Sequence, residues 1–261
     1  QLALKQIQMG QKDAANRRLD AAVERGAIDS ELLFLRGQLN LEARDLETAR
    51  TDLAEAYRLR PTLPRTLPFL VRTLLELDDT SAAIAALTRG QKLGLLGRGH
   101  RALLGELQLA TGNREEALQN FLIAANQGHK AVQLKRYLSV LLAEQTDEFD
   151  RALALAQQFV ITQRYDPDSW DLLGYVFLRA NRFQEAETSF RRVLQLNASI
   201  ENPTRADSLY RLGLTLEALG RDEEAAPFFE RAEALDEAFS RQPGSVPPSP
   251  SQGLLRIRKI S

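Results

Sequence analysis

The stretch Pro167–Ser199, PDSWDLLGYVFLRANRFQEAETSFRRVLQLNAS, decides how the chain is read. Trp170, Leu173, Gly174 and Phe177 fall at helical spacing, and Ala186 and Phe190 follow beyond an Ala180-Asn181-Arg182 turn. Residues three and four apart share one helix face. The segment therefore reads as two amphipathic helices joined by a tight turn. Gly174 and Ala186 let the pair approach closely, and Phe190, one turn further on, fills the groove to the next element.

The same register recurs outward from this stretch. The alanine reappears as Ala15, Ala49, Ala83, Ala117, Ala152, Ala186 and Ala225, at steps of 34, 34, 34, 35, 34 and 39 residues. Four residues later stand Leu19, Leu53, Leu87, Phe121, Ala156, Phe190 and Phe229. The small residue of the first helix recurs as Gly37, Gly105, Gly174 and Gly213, with Val71 and Ser139 in its place elsewhere. Slightly wider helix contacts are expected at those two. Turn chemistry sits at the matching points: Arg44-Asp45, Asp78-Asp79, Gly112-Asn113, Asn181-Arg182 and Gly220-Arg221. Asp, Asn and Gly favour helix ends and left-handed backbone. No such hairpin buries its apolar face alone, so stacking is obligatory.

This pattern resembles the tetratricopeptide repeat, W-x2-L-G-x2-Y followed by A-x3-F, with Phe177 in the Tyr place. The resemblance covers residues 1–240 as seven repeats, the first partial: 1–29, 30–63, 64–97, 98–131, 132–166, 167–205 and 206–240. It implies an all-α fold, a right-handed α-solenoid of antiparallel helix hairpins, followed by a Pro-rich tail. It also implies that first helices line a concave groove that binds a peptide or protein partner. The matching groove positions are Phe34, Leu35 and Gln38, then Phe69 and Arg72, Leu103 and Glu106, Arg136 and Tyr137, Asp171 and Tyr175, and Tyr210 and Arg211. Tyr and Arg are favourable interface residues. The competing reading is that several of these only pack against neighbouring helices. The subfamily that clamps chaperone C-termini uses Lys-x3-Asn in a first helix. The pairs here, Phe34/Gln38, Pro68/Arg72, Ala102/Glu106 and Arg136/Val140, do not fit it.

Composition narrows the chemistry. The 261 residues carry 34 Lys+Arg against 35 Asp+Glu, a net charge of −1, which gives no overall attraction to nucleic acid. With no Cys and two His, thiol catalysis is excluded and a conventional zinc cage is implausible. His100 and His129 are not at metal-ligand spacing. No HExxH, GxSxG or phosphate-loop motif is present, and Gly94–Gly99 reads as a helix-linking loop. No catalytic residue, cofactor or metal is expected. No run of 18 apolar residues exists, and no cleavable signal is visible. The chain opens on Gln1 rather than Met, which fits a trimmed or processed piece.

Three features break the regularity. The turn Gln145–Phe149 is longer by one residue than its counterparts, and the linker Asn197–Arg205 adds five. Lengthened surface loops cost little. Asn197-Ala198-Ser199 is also a glycosylation sequon. Beyond residue 240 the helical pattern stops. Residues 241–252 hold four prolines and read as an extended linker, and 253–261 (GLLRIRKIS) form a short basic-apolar segment. Charge is split accordingly: 131–240 hold 12 basic and 19 acidic residues, while 241–261 hold four basic and no acidic ones. Leu255, Arg256, Ile257 and Arg258 are the candidate docking residues of the tail, in cis or in a homo-oligomer. The default for such an end is disorder.

The expected function is a non-enzymatic protein-interaction scaffold or adaptor. The 28 Arg against 6 Lys suit a GC-rich bacterial genome, and family analogy suggests an envelope assembly. The alternatives are a regulatory fragment of a larger enzyme and a self-assembling array.

Overall fold

The computed structural model describes residues 2–63, 65–199 and 204–236. The linker and tail readings, including Leu255, Arg256, Ile257 and Arg258, lie outside the described residues, as does part of the 197–205 insertion. Every regular element described is a helix. In order they are α1 (Leu2–Gln8), α2 (Lys12–Glu24), α3 (Ser30–Glu42), α4 (Leu46–Leu59), α5 (Thr66–Glu76), α6 (Thr80–Lys92), α7 (Arg98–Ala110), α8 (Arg114–Asn126), α9 (Val132–Gln145), α10 (Phe149–Thr162), α11 (Pro167–Arg179), α12 (Phe183–Ser199), α13 (Ala206–Ala218) and α14 (Asp222–Leu235). They fall into two compact units that divide between Thr111 and Gly112.

Within each unit, consecutive helices pack as hairpins, and each second helix packs on the next first helix. The seven register alanines, Ala15 to Ala225, are at most 1% exposed, which places them at the helix crossings. The residues four further on are all buried as well. They meet the small residue of the first helix directly. A Cβ added to Gly37 would lie 2.7 Å from Leu53 Cγ, one on Gly174 2.8 Å from Phe190 Cε1, and one on Gly213 2.7 Å from Phe229 Cε1. α5 and α6, where Val71 replaces the glycine, share a thinner contact than α3 and α4.

The turns inside hairpins use one backbone device. Arg44, Asp78, Gly112, Asn181 and Gly220 all take positive φ, between 57° and 83°. The left-handed residue ends the first helix, and its neighbour begins the second. Asp45 accepts from the Thr48 amide and Asp79 from the Ala82 amide, satisfying N–H groups that the helix leaves open. The longer turn before α10 differs. Thr146 is extended, its hydroxyl donates to Leu142 O, and its Oγ1 accepts from the Glu148 amide. Gly94–Gly97 lies in the link between α6 and α7, and Gly99 is already in the first turn of α7.

In the first unit the core runs from Leu41, Ala49, Leu53 and Tyr57 through Leu67, Leu70 and Leu74 to Leu87, Leu104 and Leu107. A smaller cluster joins Ala3, Ala15, Leu19 and Leu39. In the second unit, Phe121, Leu141, Leu142, Tyr175, Phe190 and Leu212 are among the largest fully buried side chains.

Candidate functional site

The candidate surfaces are the exposed sides of the first helices, taken unit by unit. In the first unit these are α3, α5 and α7. Phe34 of α3 and Phe69 of α5 are both half-buried, and their rings meet edge to face at 5.6 Å and 82°. T-shaped contact suits the ring quadrupoles and leaves part of each ring open. Gln38, half-buried, donates to Glu42. Arg72 is exposed and donates to Glu76 at 2.8 Å. Leu103 and Glu106 of α7 are half-buried, and burial raises the Glu106 carboxyl above the usual glutamate range. The sequence-predicted residues of this unit thus form a partly open strip: an aromatic pair, a cation and a carboxylate.

An ion pair recurs at the ends of first helices in both units. Glu42, Glu76 and Glu144 stand at one register, at or next to the last turn of a first helix. Each meets a cation from the preceding hairpin. Lys12 lies 2.7 Å from Glu42, Arg44 lies 2.6 Å from Glu76, and Arg114 pairs with Glu144. A further pair sits inside the hairpin of α3 and α4. Arg36 donates from both Nε and Nη2 to Asp52, each at 2.6 Å, while Asp52 is 2% exposed.

The second unit places its predicted residues differently. Arg136 and Tyr137 of α9 are half-buried, and the Tyr137 ring stacks on Phe121 at 5.0 Å. Asp171, Tyr175, Tyr210 and Arg211, expected at an exposed groove, are instead all buried. Tyr210 meets the Phe229 ring edge to face at 5.1 Å, while Asp171, Tyr175 and Arg211 belong to a polar network across α9, α11 and α13. Tyr175 donates to Glu144 Oε1 at 2.7 Å. The Arg211 guanidinium lies 5.5 Å from the Tyr175 ring, pairs with Asp171, and donates to Asp207 at 3.0 Å. Asp207 also accepts from Arg205 at 2.8 Å. Burial pushes the Asp171 carboxyl up, against the pull of Arg211. A buried charge persists only when paired, and that is the role these residues take. The second Asp171 oxygen, Oδ1, is buried and accepts no hydrogen bond.

The sequon also reads differently in place. Asn197 lies in α12, is 4% exposed, and donates to Thr204 Oγ1 at 3.2 Å. That is a structural amide linking the helix to the next first helix's approach.

One surface was not foreseen. On the second-helix side of the first unit, a cleft of about 460 Å³ is lined by Ala54, Tyr57, Leu70, Leu74, Ala82 and Ala86, with Arg50 and Arg89 among its charged residues. Arg89 lies over the Tyr57 ring at 5.1 Å. The signal was present in the small residues Ala82-Ala83 and Ala85-Ala86 of α6, which leave room beside α4.

Among the described residues, no group of three or more His, Asp or Glu is placed to hold a metal ion. Burial lowers the pKa of His100. No described helix is long and apolar enough to cross a membrane.

Two family models, both described as tetratricopeptide repeat, match residues 1–64 and 165–238, together more than half of the chain. The chain belongs to the tetratricopeptide repeat family. Solved structures agree in fold. A tetratricopeptide repeat protein from Parabacteroides merdae is 16% identical over 91% of this chain and 93% of its own, with a TM-score of 0.50. MamA 41-end from Desulfovibrio magneticus RS-1 is 13% identical over 67% of this chain and 95% of its own, with a TM-score of 0.55. The APC/C hetero-tetramer Cut9–Hcn1 matches over 99% of this chain and 48% of its own at 14% identity and a TM-score of 0.51. No curated protein sequence matches the chain.

Proposed function

We propose that the protein is a non-enzymatic interaction scaffold that holds a segment of another protein against its first helices. The observation that carries this reading is the half-open Phe34–Phe69 pair beside exposed Arg72. A partner's apolar side chain gains by covering the rings, and Arg72 offers charge-assisted bonds at the rim. The family supports it, since tetratricopeptide repeats are in general protein-interaction modules. An assembly in a bacterial envelope is the setting we favour, by analogy alone.

The test is site-specific photo-crosslinking in the native host, from position 69 on the first-helix face and from position 85 on the second-helix face. Ala85 is exposed and serves as the comparison. Cross-links to a discrete protein from position 69, weakened by Phe34→Ala, are expected. Cross-links from position 85 alone would move binding to the cleft on the opposite side and end this proposal.

A further inference from the structure

In the first unit, no buried run on α3, α5 or α7 exceeds three residues. In the second, eight consecutive residues of α11 (Asp171–Leu178) and seven of α13 (Asp207–Gly213) are buried. Runs of that length pass right round a helix of 3.6 residues per turn. Burial therefore includes the side of α11 and α13 that the first unit leaves open on its own first helices. That side carries the Tyr175 ring and the carboxylates of Asp171 and Asp207. It also holds a buried carboxylate oxygen, Asp171 Oδ1, that accepts no hydrogen bond.

We propose that the occupant of this face is the chain's own C-terminal segment, residues 237–261, bound in cis. Three observations support it. The first is charge: residues 241–261 carry Arg241, Arg256, Arg258 and Lys259 and no acid, against the acid excess of 131–240. The second is surface chemistry. Pro243, Pro247, Pro248 and Pro250 favour an extended, preorganised backbone, which docks well on aromatic surfaces. The third is reach. The segment begins directly after Asp236, one residue beyond α14, and α14 packs on α13. At about 3.3 Å per extended residue, five residues span about 16 Å, more than the 8–10 Å typical between packed helices. A cation of the segment would supply the donor that Asp171 Oδ1 lacks. Bound so, the tail closes the second unit's first-helix face to other segments.

The proposal deepens the scaffold reading, since it takes first-helix faces as binding faces, but its test needs no partner. Trp170 is the only tryptophan and the chain has no cysteine. A Ser251→Cys chain labelled with an energy acceptor therefore gives one donor–acceptor pair. Transfer several-fold above that of the chain in denaturant, independent of protein concentration, is the expected result. It should fall towards the denatured level in a chain with Arg241, Arg256, Arg258 and Lys259 all changed to Glu, a variant that leaves the helical body untouched. Asp171→Asn should weaken it with the helical circular dichroism unchanged. Transfer no higher than in denaturant overturns the proposal, and so does transfer unmoved by the charge reversal. Transfer that rises with concentration assigns the face to a second copy and overturns the cis contact. Low transfer with cross-links retained at position 69 sinks the tail contact and leaves the scaffold standing; the reverse pattern sinks the scaffold alone.

Discussion

The Tyr175 hydroxyl donates to Glu144 Oε1 across 2.7 Å and so ties the sixth repeat's first helix to the fifth's. Glu144 also pairs with Arg114. One buried carboxylate thus links three successive hairpins through side chains. Tyr175→Phe removes one donor and leaves the ring in place. We expect a loss of about 1.5–3 kcal/mol, the net value of a hydrogen bond to a charged group. Urea unfolding should show a lower midpoint with an unchanged slope. A midpoint equal to wild type would mean that Arg114 alone satisfies the carboxylate.

Gly174→Ala and Gly213→Ala set helix propensity against packing. Alanine gains about 1 kcal/mol over glycine inside a helix. Here the new methyl meets Phe190 or Phe229 at under 3.0 Å. Overpacking of this kind costs about 1–3 kcal/mol, so net destabilisation is expected. Adding Phe190→Leu to Gly174→Ala should return part of the loss in thermal melts. Gly97→Ala, at an N-cap with no atom within 4 Å of the new methyl, is the comparison.

Asp52→Ala leaves Arg36 without its two-pronged partner. Removing one member of a buried pair costs about 3 kcal/mol. Arg36 retains Asp20 at 3.4 Å, which softens the loss. The double change Arg36→Met with Asp52→Leu should recover much of it, because the pair's own desolvation cost disappears too. Failure of the double variant to exceed Asp52→Ala would show that the pair is worth more than its burial costs.

The hydrogen bond from Lys12 holds the Glu42 carboxyl below the usual glutamate range, and Gln38 adds to it against a modest burial penalty. A depressed folded pKa contributes stability above the unfolded pKa, about 4.3. That stability is lost as pH falls through the lower folded value. Both side chains are substantially exposed, so the effect stays under about 1 kcal/mol. Lys12→Met should therefore be less stable than wild type at pH 7, with the two curves converging at the acid end. A gap that persists once Glu42 is protonated would assign the loss to the lysine's aliphatic packing instead.

The hairpin register was legible because it rests on local spacing. Ala15 through Ala225 and their partners four residues on meet across short turns, and the turn residues Arg44, Asp78 and Asn181 mark themselves by type. The aromatic strip of the first unit was legible for the same reason. What the sequence hid lies 30 to 40 residues apart. Asp171 and Arg211 sit at positions that would face solvent on an isolated hairpin, and their pairing across α11 and α13 appears only once the hairpins are stacked. The clasp cations are equally anonymous in sequence. Lys12, Arg44 and Arg114 resemble any solvated charge until the next hairpin brings a glutamate to them. The cleft beside α4 was hidden because alanines reveal room only when their neighbour's position is known.

Those clasps also say where the array can be cut. Lys12 and Arg114 begin second helices, Arg44 sits in the turn just before one, and each partner glutamate lies in the first helix that follows. The block that these three clasps close is therefore a second helix with the succeeding first helix, offset by half a period from the repeat that sequence similarity marks out, whereas the Arg36–Asp52 pair spans the α3–α4 turn. A graft or deletion made on the sequence boundary would separate every cation from its glutamate. One made in the intra-hairpin turns, ahead of Arg44 or Arg114, would carry both members together.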